Sequence, residues 1–192
     1  MPEQPIEAVM VGGSAGSFEP FAHLIKAVSG KEMPPVVVVF HLMRNVENRV
    51  VDLLRFKTGN AQIAEAEEKE FLKPGWVYVA PANYHLLIEE DRTFCLDSSD
   101  PVYFSRPSID VTFESAAQVY GAGVVGILLS GSNGDGTYGM QCIERRGGVP
   151  LVQDPEEAEF KTMPLSCIQH LAHPRIYTLN QIEDFFLSRT RA

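Results

Sequence analysis

Two uninterrupted apolar runs constrain the fold of this chain most strongly. Residues 35–40 read PVVVVF and residues 124–129 read VVGILL, with no polar side chain in either run. A strand with one solvent-facing side alternates apolar and polar residues, whereas a strand that is covered on both faces does not. Both runs therefore predict central strands of a parallel sheet that has helices on both faces.

The segments around these runs alternate between strand and helix patterns. Further short strands are predicted at residues 6–11, 61–66, 76–80, 149–152 and 176–179, and helices at 18–28, 46–56, 107–120, 138–145, 164–173 and 182–187. Residues 85–89 and 93–96 flank a short polar turn and predict an antiparallel hairpin attached to the sheet. The alternation indicates an α/β fold with a doubly wound, mostly parallel, Rossmann-like sheet and a short hairpin.

Composition and charge exclude several classes of protein. The 192 residues fit one large domain, and a net charge of −9 disfavours nucleic acid or an anionic membrane surface as a partner. The sequence shows no secretory signal and no apolar run of membrane-spanning length, which predicts a cytoplasmic protein without membrane insertion. The three cysteines, Cys95, Cys142 and Cys167, are expected to be reduced and buried, and no histidine or cysteine spacing predicts a metal site.

The turn after the first predicted strand carries a chemical motif. Residues 12–16 read GGSAG, which fits the G-x-S-x-G form of a nucleophile elbow, and the next helix points its amides toward this turn. A dinucleotide fingerprint needs glycines at i, i+2 and i+5, and a Walker A motif needs a following Gly-Lys-Ser/Thr, so neither nucleotide motif fits. At this point Ser14 is either a nucleophile or part of a structural turn.

Polar residues follow three separate predicted strands, at the positions where each strand ends. Ser14, His41 and Asp135 occupy these positions, and in an open α/β sheet such positions form the binding crevice. They are the residue types that acyl-transfer hydrolysis needs: a nucleophile, a base that removes its proton, and a carboxylate that orients the base. Each alone also fits a structural role, but the three together favour the catalytic one. Asp110 is expected to be a helix N-terminal residue and not a third catalytic carboxylate.

An ordered set of segments over nearly the whole chain resembles a known family. The set comprises residues 11–16 (VGGSAG), 40–42 (FHL), 74–75 with 79–81 (PG, VAP), 105–110 (SRPSID), 128–131 and 135–136 (LLSG, DG), 147–148 (GG), 153–154 (QD) and 163–164 (MP). It is similar to the catalytic domain of the CheB-type chemotaxis protein-glutamate methylesterases. The chain departs from that family at Ala15, usually threonine, at Ser132-Asn133-Gly134, where a methionine and a glycine are usual, and at Thr162, usually glycine.

The resemblance implies a serine esterase in which Ser14, His41 and Asp135 form the triad. Its expected reaction is hydrolysis of glutamate γ-methyl esters on the helical cytoplasmic region of chemoreceptors, with release of methanol, and often also deamidation of glutamine. No cofactor is implied. Further candidates for oxyanion or substrate contacts are Ala15, Ser132, His85 and Arg106, with His85 expected at the rim of the site. Residues 1–192 are expected to form a single catalytic domain, without the receiver domain that usually precedes it in this family.

Two other functions remain open at this stage. The departures at Ala15 and before Asp135 are compatible with a weakly active or inactive module that binds a receptor or a signalling partner. Nucleotide binding at residues 12–16 is the other alternative, although the glycine spacing does not support it.

Overall fold

A computed structural model describes residues 5–41 and 49–188 of the chain. The strands are β1 (Ala8–Gly13), β2 (Val36–Phe40), β3 (Ile63–Glu65), β4 (Val77–Val79), β5 (His85–Ile88), β6 (Phe94–Asp97), β7 (Val124–Leu128), β8 (Val149–Gln153) and β9 (Arg175–Tyr177). The α-helices are α1 (Phe18–Val28), α2 (Val50–Thr58), α3 (Ile109–Tyr120), α4 (Thr137–Arg145), α5 (Thr162–His170) and α6 (Leu179–Leu187).

Seven strands form one sheet in the order β3-β4-β2-β1-β7-β8-β9, and all neighbouring strands in it are parallel. The chain leaves β1 toward β2 on one side and later returns to β7 on the other side. The carboxyl ends of β2, β1 and β7 therefore lie at the switch point, where open α/β sheets form their ligand crevices. The predicted doubly wound parallel sheet is confirmed.

Helices cover both faces of this sheet. Because side chains alternate along a strand, Val9 and Val11 of β1 join the core beneath α1, α2 and α6, whereas Met10 joins the core beneath α3, α4 and α5. All six residues of β1 and all five of β2 are buried. The apolar runs therefore lack polar alternation because both of their sides face helices.

The predicted antiparallel hairpin is confirmed, but its attachment differs from the prediction. β5 and β6 pair with each other in a separate two-stranded sheet, and within residues 5–41 and 49–188 neither pairs with the main sheet. α3 holds the hairpin instead: the Thr112 hydroxyl donates to the Leu86 carbonyl (2.7 Å) and the Ile88 amide donates to the Ser115 hydroxyl (3.0 Å). The hairpin thus does not extend the sheet as predicted, because α3 and residues 69–72 supply its hydrogen bonds.

Several predicted boundaries shift by a few residues. The first strand extends to Gly13, and the last helix begins at Leu179 because Thr178 and Gln181 form a capping box before the apolar pattern starts. The helix predicted at residues 46–56 is α2, which ends at Thr58; its predicted start falls on residues 42–48, outside the described residues.

The cysteine prediction holds for two of the three thiols. Cys142 and Cys167 are buried, but Cys95 is partly exposed because it lies in the small hairpin sheet and not in the main core. No helix among the described residues is long and apolar enough to cross a membrane. The same residues contain no cluster of histidine, cysteine and acidic side chains that could hold a metal ion.

Candidate active site

The turn that carries Ser14 sits between two central strands. Gly13 pairs with Phe40 at the end of the neighbouring strand β2, so Ser14 and His41, the residues that follow them, leave the sheet at the same level. The Ser14 amide donates to the carbonyl of Ser130, which follows β7 (2.9 Å), and the Ser17 hydroxyl donates to the Ser14 carbonyl (2.6 Å). Ser14 is half-buried, and its backbone is fixed from both sides.

Buried Ser130 fixes this turn through hydrogen bonds. Its hydroxyl donates to the Ala15 carbonyl (2.8 Å) and accepts from the Phe160 amide (2.9 Å), while its own amide donates to the Gln153 side chain (2.9 Å). Gly16 adopts a φ of 75°, and a Cβ there would lie 2.8 Å from the Ser130 hydroxyl. Residue 16 must therefore be glycine for both backbone and steric reasons.

His41 and Asp135 meet across the switch point. Nε2 of His41 lies 2.7 Å from Oδ2 of Asp135, and the side chains are 10% and 0% exposed. A proton on Nε2 shared with the carboxylate leaves Nδ1 as the nitrogen that can accept a proton. Within the described residues, neither Nδ1 of His41 nor the Ser14 hydroxyl forms a hydrogen bond, so the pair is not preassembled with the serine.

The carboxylate of Asp135 lies at the N-terminus of α3. Oδ2 accepts from the Ile109 amide (2.8 Å), and Oδ1 accepts from the Ser108 hydroxyl (2.9 Å), the Asp110 amide (3.0 Å) and the Gly136 amide (3.0 Å). Ser108 is the N-cap residue of α3, but it makes no cap bond to its own helix. Asp135 therefore caps α3 from another part of the chain and is fixed in orientation by the helix.

This environment keeps Asp135 ionised. Burial by itself would raise the pKa of Asp135, but hydrogen bonds from His41 and from the amides of Asp110 and Ile109 outweigh it. The pKa therefore lies below its ordinary value. An ionised, buried carboxylate beside an imidazole stabilises the imidazolium that forms when the ring takes up a proton.

The pKa of Asp110 shifts in the opposite direction. Its Oδ1 accepts from the Gly139 amide of α4 (2.7 Å), so it caps that helix as Asp135 caps α3. Burial, followed by the charge of Asp135, raises the pKa of Asp110 to about 7. The prediction of a helix N-terminal position is correct, but the side chain serves the neighbouring helix and adds a second buried carboxyl group beside the site.

Two of the further predicted residues have other contacts. His85 is buried behind α3 and not at the rim: its Nδ1 accepts from the Ser108 amide (3.1 Å), and its Nε2 lies 3.1 Å from the Asp100 carbonyl. It therefore supports the residue that donates to Asp135. The Arg106 guanidinium donates to the carbonyls of two loop residues, Ser98 and Ser99, and so fixes that loop.

The other two predicted residues lie on the turns of the site. Ala15 is half-buried and Ser132 is exposed. In the described part of the chain, the amides of Ala15, Gly16 and Ser132 donate no hydrogen bond. Free amides on turns next to a nucleophile are the donors that an oxyanion hole requires.

Sequence reasoning missed the residues that hold this arrangement together. Ser108 could have been read only as a cap of its own helix, because nothing local indicates that it donates to Asp135. Ser130 and Gln153 each follow a predicted strand directly, but their partners are distant in sequence. The signals in the sequence were the Gly-rich character of residues 130–136 and the segments at 105–110, 128–131 and 153–154 that carry the family resemblance.

Comparison with known proteins decides the family. The sequence profile described as CheB methylesterase matches residues 9–186. The chain belongs to the CheB methylesterase family. The family prediction is confirmed, and with it the class of enzyme, a methylesterase that hydrolyses carboxylic esters.

Individual relatives agree with this assignment. A protein of Leptospira interrogans is 41% identical over 181 residues, which cover 94% of this chain and 93% of that protein. The Archaeoglobus fulgidus protein named protein-glutamate methylesterase/protein-glutamine glutaminase is 32% identical over 84% of this chain and 47% of its own length. This chain thus spans about half of the latter protein.

A solved structure shares the fold. The crystal structure of the Thermotoga maritima CheB methylesterase catalytic domain superposes with a TM-score of 0.86 and 27% identity, covering 96% of this chain and 99% of that one. The family match and this superposition agree on the α/β architecture described above.

Proposed function

We propose that this protein hydrolyses γ-methyl esters of glutamate on the cytoplasmic helices of chemoreceptors, with Ser14 as nucleophile, His41 as base and Asp135 as the orienting carboxylate. The observation that carries the proposal is the 2.7 Å contact between His41 and the buried, ionised Asp135, beside the turn that presents Ser14. The names of the relatives, protein-glutamate methylesterase/protein-glutamine glutaminase, support the substrate class.

In the first half-reaction the Ser14 oxygen attacks the carbonyl carbon of the ester side chain. Nδ1 of His41 takes the hydroxyl proton, and the carbonyl electrons move to oxygen, where free turn amides such as that of Ala15 stabilise the negative charge. When the tetrahedral species collapses, the C–O bond to the methoxy group breaks. His41 gives its proton to this group, methanol leaves, and Ser14 holds the glutamyl acyl group.

In the second half-reaction a water molecule replaces methanol. His41 removes a proton from the water as it attacks the acyl carbon, and the bond to the Ser14 oxygen breaks as that oxygen regains a proton. The product is a glutamate side chain. The same two steps on glutamine would release ammonia in place of methanol, which gives the deamidation that the relatives' names include.

In this proposal the chain acts as a single catalytic domain in the cytoplasm. With a net charge of −9, it gains no long-range attraction to acidic receptor helices. In this proposal docking depends on local shape or on tethering by another protein. No cofactor or metal takes part in either step.

Methanol release from a glutamate-methylated chemoreceptor fragment tests the proposal. The wild type should release methanol, and Ser14→Ala, which removes one hydroxyl group and no backbone contact, should release none. Absence of release by a correctly folded wild-type protein would refute the proposed substrate.

A weakly active module that binds a receptor is the second candidate. The observation that favours it is the missing hydrogen bond between the Ser14 hydroxyl and His41 in the described part of the chain. Such bonds often form only when substrate is present, so hydrolysis remains the function with stronger support. A receptor fragment that binds to the wild type without losing methanol would favour the binding module.

A further inference from the structure

A tight hairpin precedes α3 at the edge of the site. Val102 and Ser105 exchange two backbone hydrogen bonds (3.1 and 2.9 Å), which leaves Tyr103 and Phe104 as a two-residue turn. Their φ angles are 48° and 61°, both in the left-handed region, as a type I′ turn requires. Asn-Gly suits these positions, whereas bulky side chains adopt them rarely and at a cost in energy.

Burial of the two rings within the described residues does not offset the energetic cost of this strained backbone. Phe104 is 100% exposed and Tyr103 is 52% exposed. A strained backbone that presents two large rings to solvent is typical of a functional surface and not of a structural turn, because core packing would normally bury such rings.

The turn at residues 102–105 lies next to the segment that carries Asp135. The Tyr103 ring reaches within 4.0 Å of the point where a Cβ on Gly134 would lie, and Gly134 directly precedes Asp135. On the other side, the chain passes from Ser105 through Arg106, whose carbonyl accepts from the Asn83 amide (3.2 Å), to the N-terminus of α3. The Tyr103 ring therefore lies at the rim next to the segment that carries Asp135, and Phe104 projects into solvent beside it.

We propose that Tyr103 and Phe104 form a docking element for the protein substrate, and that the rings pack against the apolar side of the helix that carries the esterified glutamate. This inference rests on the proposed function. Tyr103 lies beside Gly134, which precedes Asp135, and aromatic anchors supply much of the binding energy at protein interfaces. Apolar contact also fits a chain whose charge gives no attraction to acidic helices.

The double variant Tyr103→Asn/Phe104→Gly tests this role, because it removes both rings and keeps the type I′ turn. We expect kcat/KM for a methylated chemoreceptor fragment to fall about tenfold or more, mainly through KM. For the small ester p-nitrophenyl acetate, which offers the rings no helix to contact, kcat/KM should stay within about twofold, since no catalytic group changes. The melting temperature should be unchanged or higher.

A matched control is Phe56→Ala, which removes another aromatic residue that is 86% exposed, on α2 at the opposite face of the sheet. It should leave both substrates unaffected. Unchanged kcat/KM of the double variant on the receptor fragment would overturn the inference, as would an equal loss on both substrates. A change from dimer to monomer in analytical ultracentrifugation would show that the rings join two copies, and would also overturn it.

The experiments distinguish a failure of the proposed function from a failure of the docking role. If the wild type cleaves p-nitrophenyl acetate but releases no methanol from the fragment, the assigned substrate is wrong, and the docking role falls with it. If the wild type releases methanol and the double variant does so equally well, only the docking role is wrong.

Discussion

The N-termini of α3 and α4 lie side by side. The amides of each helix donate to a carboxylate that belongs to the other helix or to the loop before it. Asp135, just before α4, accepts amide protons of α3, and Asp110, in the first turn of α3, accepts the Gly139 amide of α4. Both carboxyl groups are buried. Their ionisation nevertheless differs: the pKa of Asp135 is lowered, whereas that of Asp110 is raised to about 7.

The partners of the two groups explain this difference. Asp135 has the His41 ring and the Ser108 hydroxyl in addition to amides, whereas Asp110 has amides and the repelling charge of Asp135 beside it. Similar burial at similar helix ends therefore gives one ionised and one largely neutral carboxyl group at acidic pH. The comparison identifies Asp135 as the charge that supports the base.

The substitution His41→Gln is expected to have the largest effect, because it removes the partner that distinguishes Asp135 from Asp110. We expect His41→Gln to lower kcat/KM by about a thousandfold or more, because the general base is lost. The pKa of Asp135 should rise, since its main stabilising partner is gone. Ester hydrolysis and carboxyl titration by NMR measure the two effects, with circular dichroism as the control for folding. Activity close to the wild-type value would remove His41 from the mechanism.

Asp135→Asn should cost about a thousandfold to ten-thousandfold in kcat, because an amide neither holds the imidazole tautomer nor stabilises the imidazolium. Steady-state hydrolysis of p-nitrophenyl acetate gives the value. The matched variant is Asp110→Asn, which makes the same chemical change at the other helix end. Equal losses in the two variants would contradict the division of roles.

Ser108→Ala should have an intermediate effect. It removes the hydroxyl donor to Oδ1 of Asp135, which should raise the pKa of that carboxyl group and lower kcat about tenfold. Ser108→Thr retains a hydroxyl group and serves as the control. A pH–rate profile distinguishes the roles, since a purely structural effect would lower kcat without moving the acidic limb.

Asp110→Asn should change activity by no more than about threefold and should act mainly on stability. Because the folded-state pKa of about 7 lies above the unfolded value of 3.8, stability is present below pH 3.8 and is lost as the pH rises toward 7. The variant should therefore exceed the wild type by on the order of 1–3 kcal/mol in unfolding free energy at pH 8 and gain nothing near pH 4. Urea melts at the two pH values measure this difference, and a gain of equal size at pH 4 would contradict it.

The sequence predicted the sheet well because its central strands are covered on both faces. The runs at β2 and β7 have no polar positions, and that pattern has few other structural explanations. The attachment of the β5–β6 hairpin was predicted wrongly because a strand pattern does not reveal its partners, which here are α3 and residues 69–72. The start of α6 was missed because a capping box, not an apolar residue, begins it.

The candidate site was predictable in part. Ser14, His41 and Asp135 follow strands that turn out to be neighbours, and a rule about strand ends finds such residues. The Asp110–Asp135 pair was not predictable, since the N-terminus of α3 and the loop after β7 lie more than twenty residues apart in sequence. Nor could the burial of His85 be read from its neighbours, because it depends on a contact with Ser108.

Labelling with a fluorophosphonate tests the central claim most directly, because this reagent reacts with serines that a base has activated. Intact-mass and peptide mass spectrometry should show one adduct on Ser14 of the wild type, none on Ser14→Ala, and a strongly reduced rate on His41→Gln. A folded wild-type protein that takes up no label, or a Ser14→Ala variant that takes up as much as the wild type, would contradict the assignment of Ser14 as an activated nucleophile.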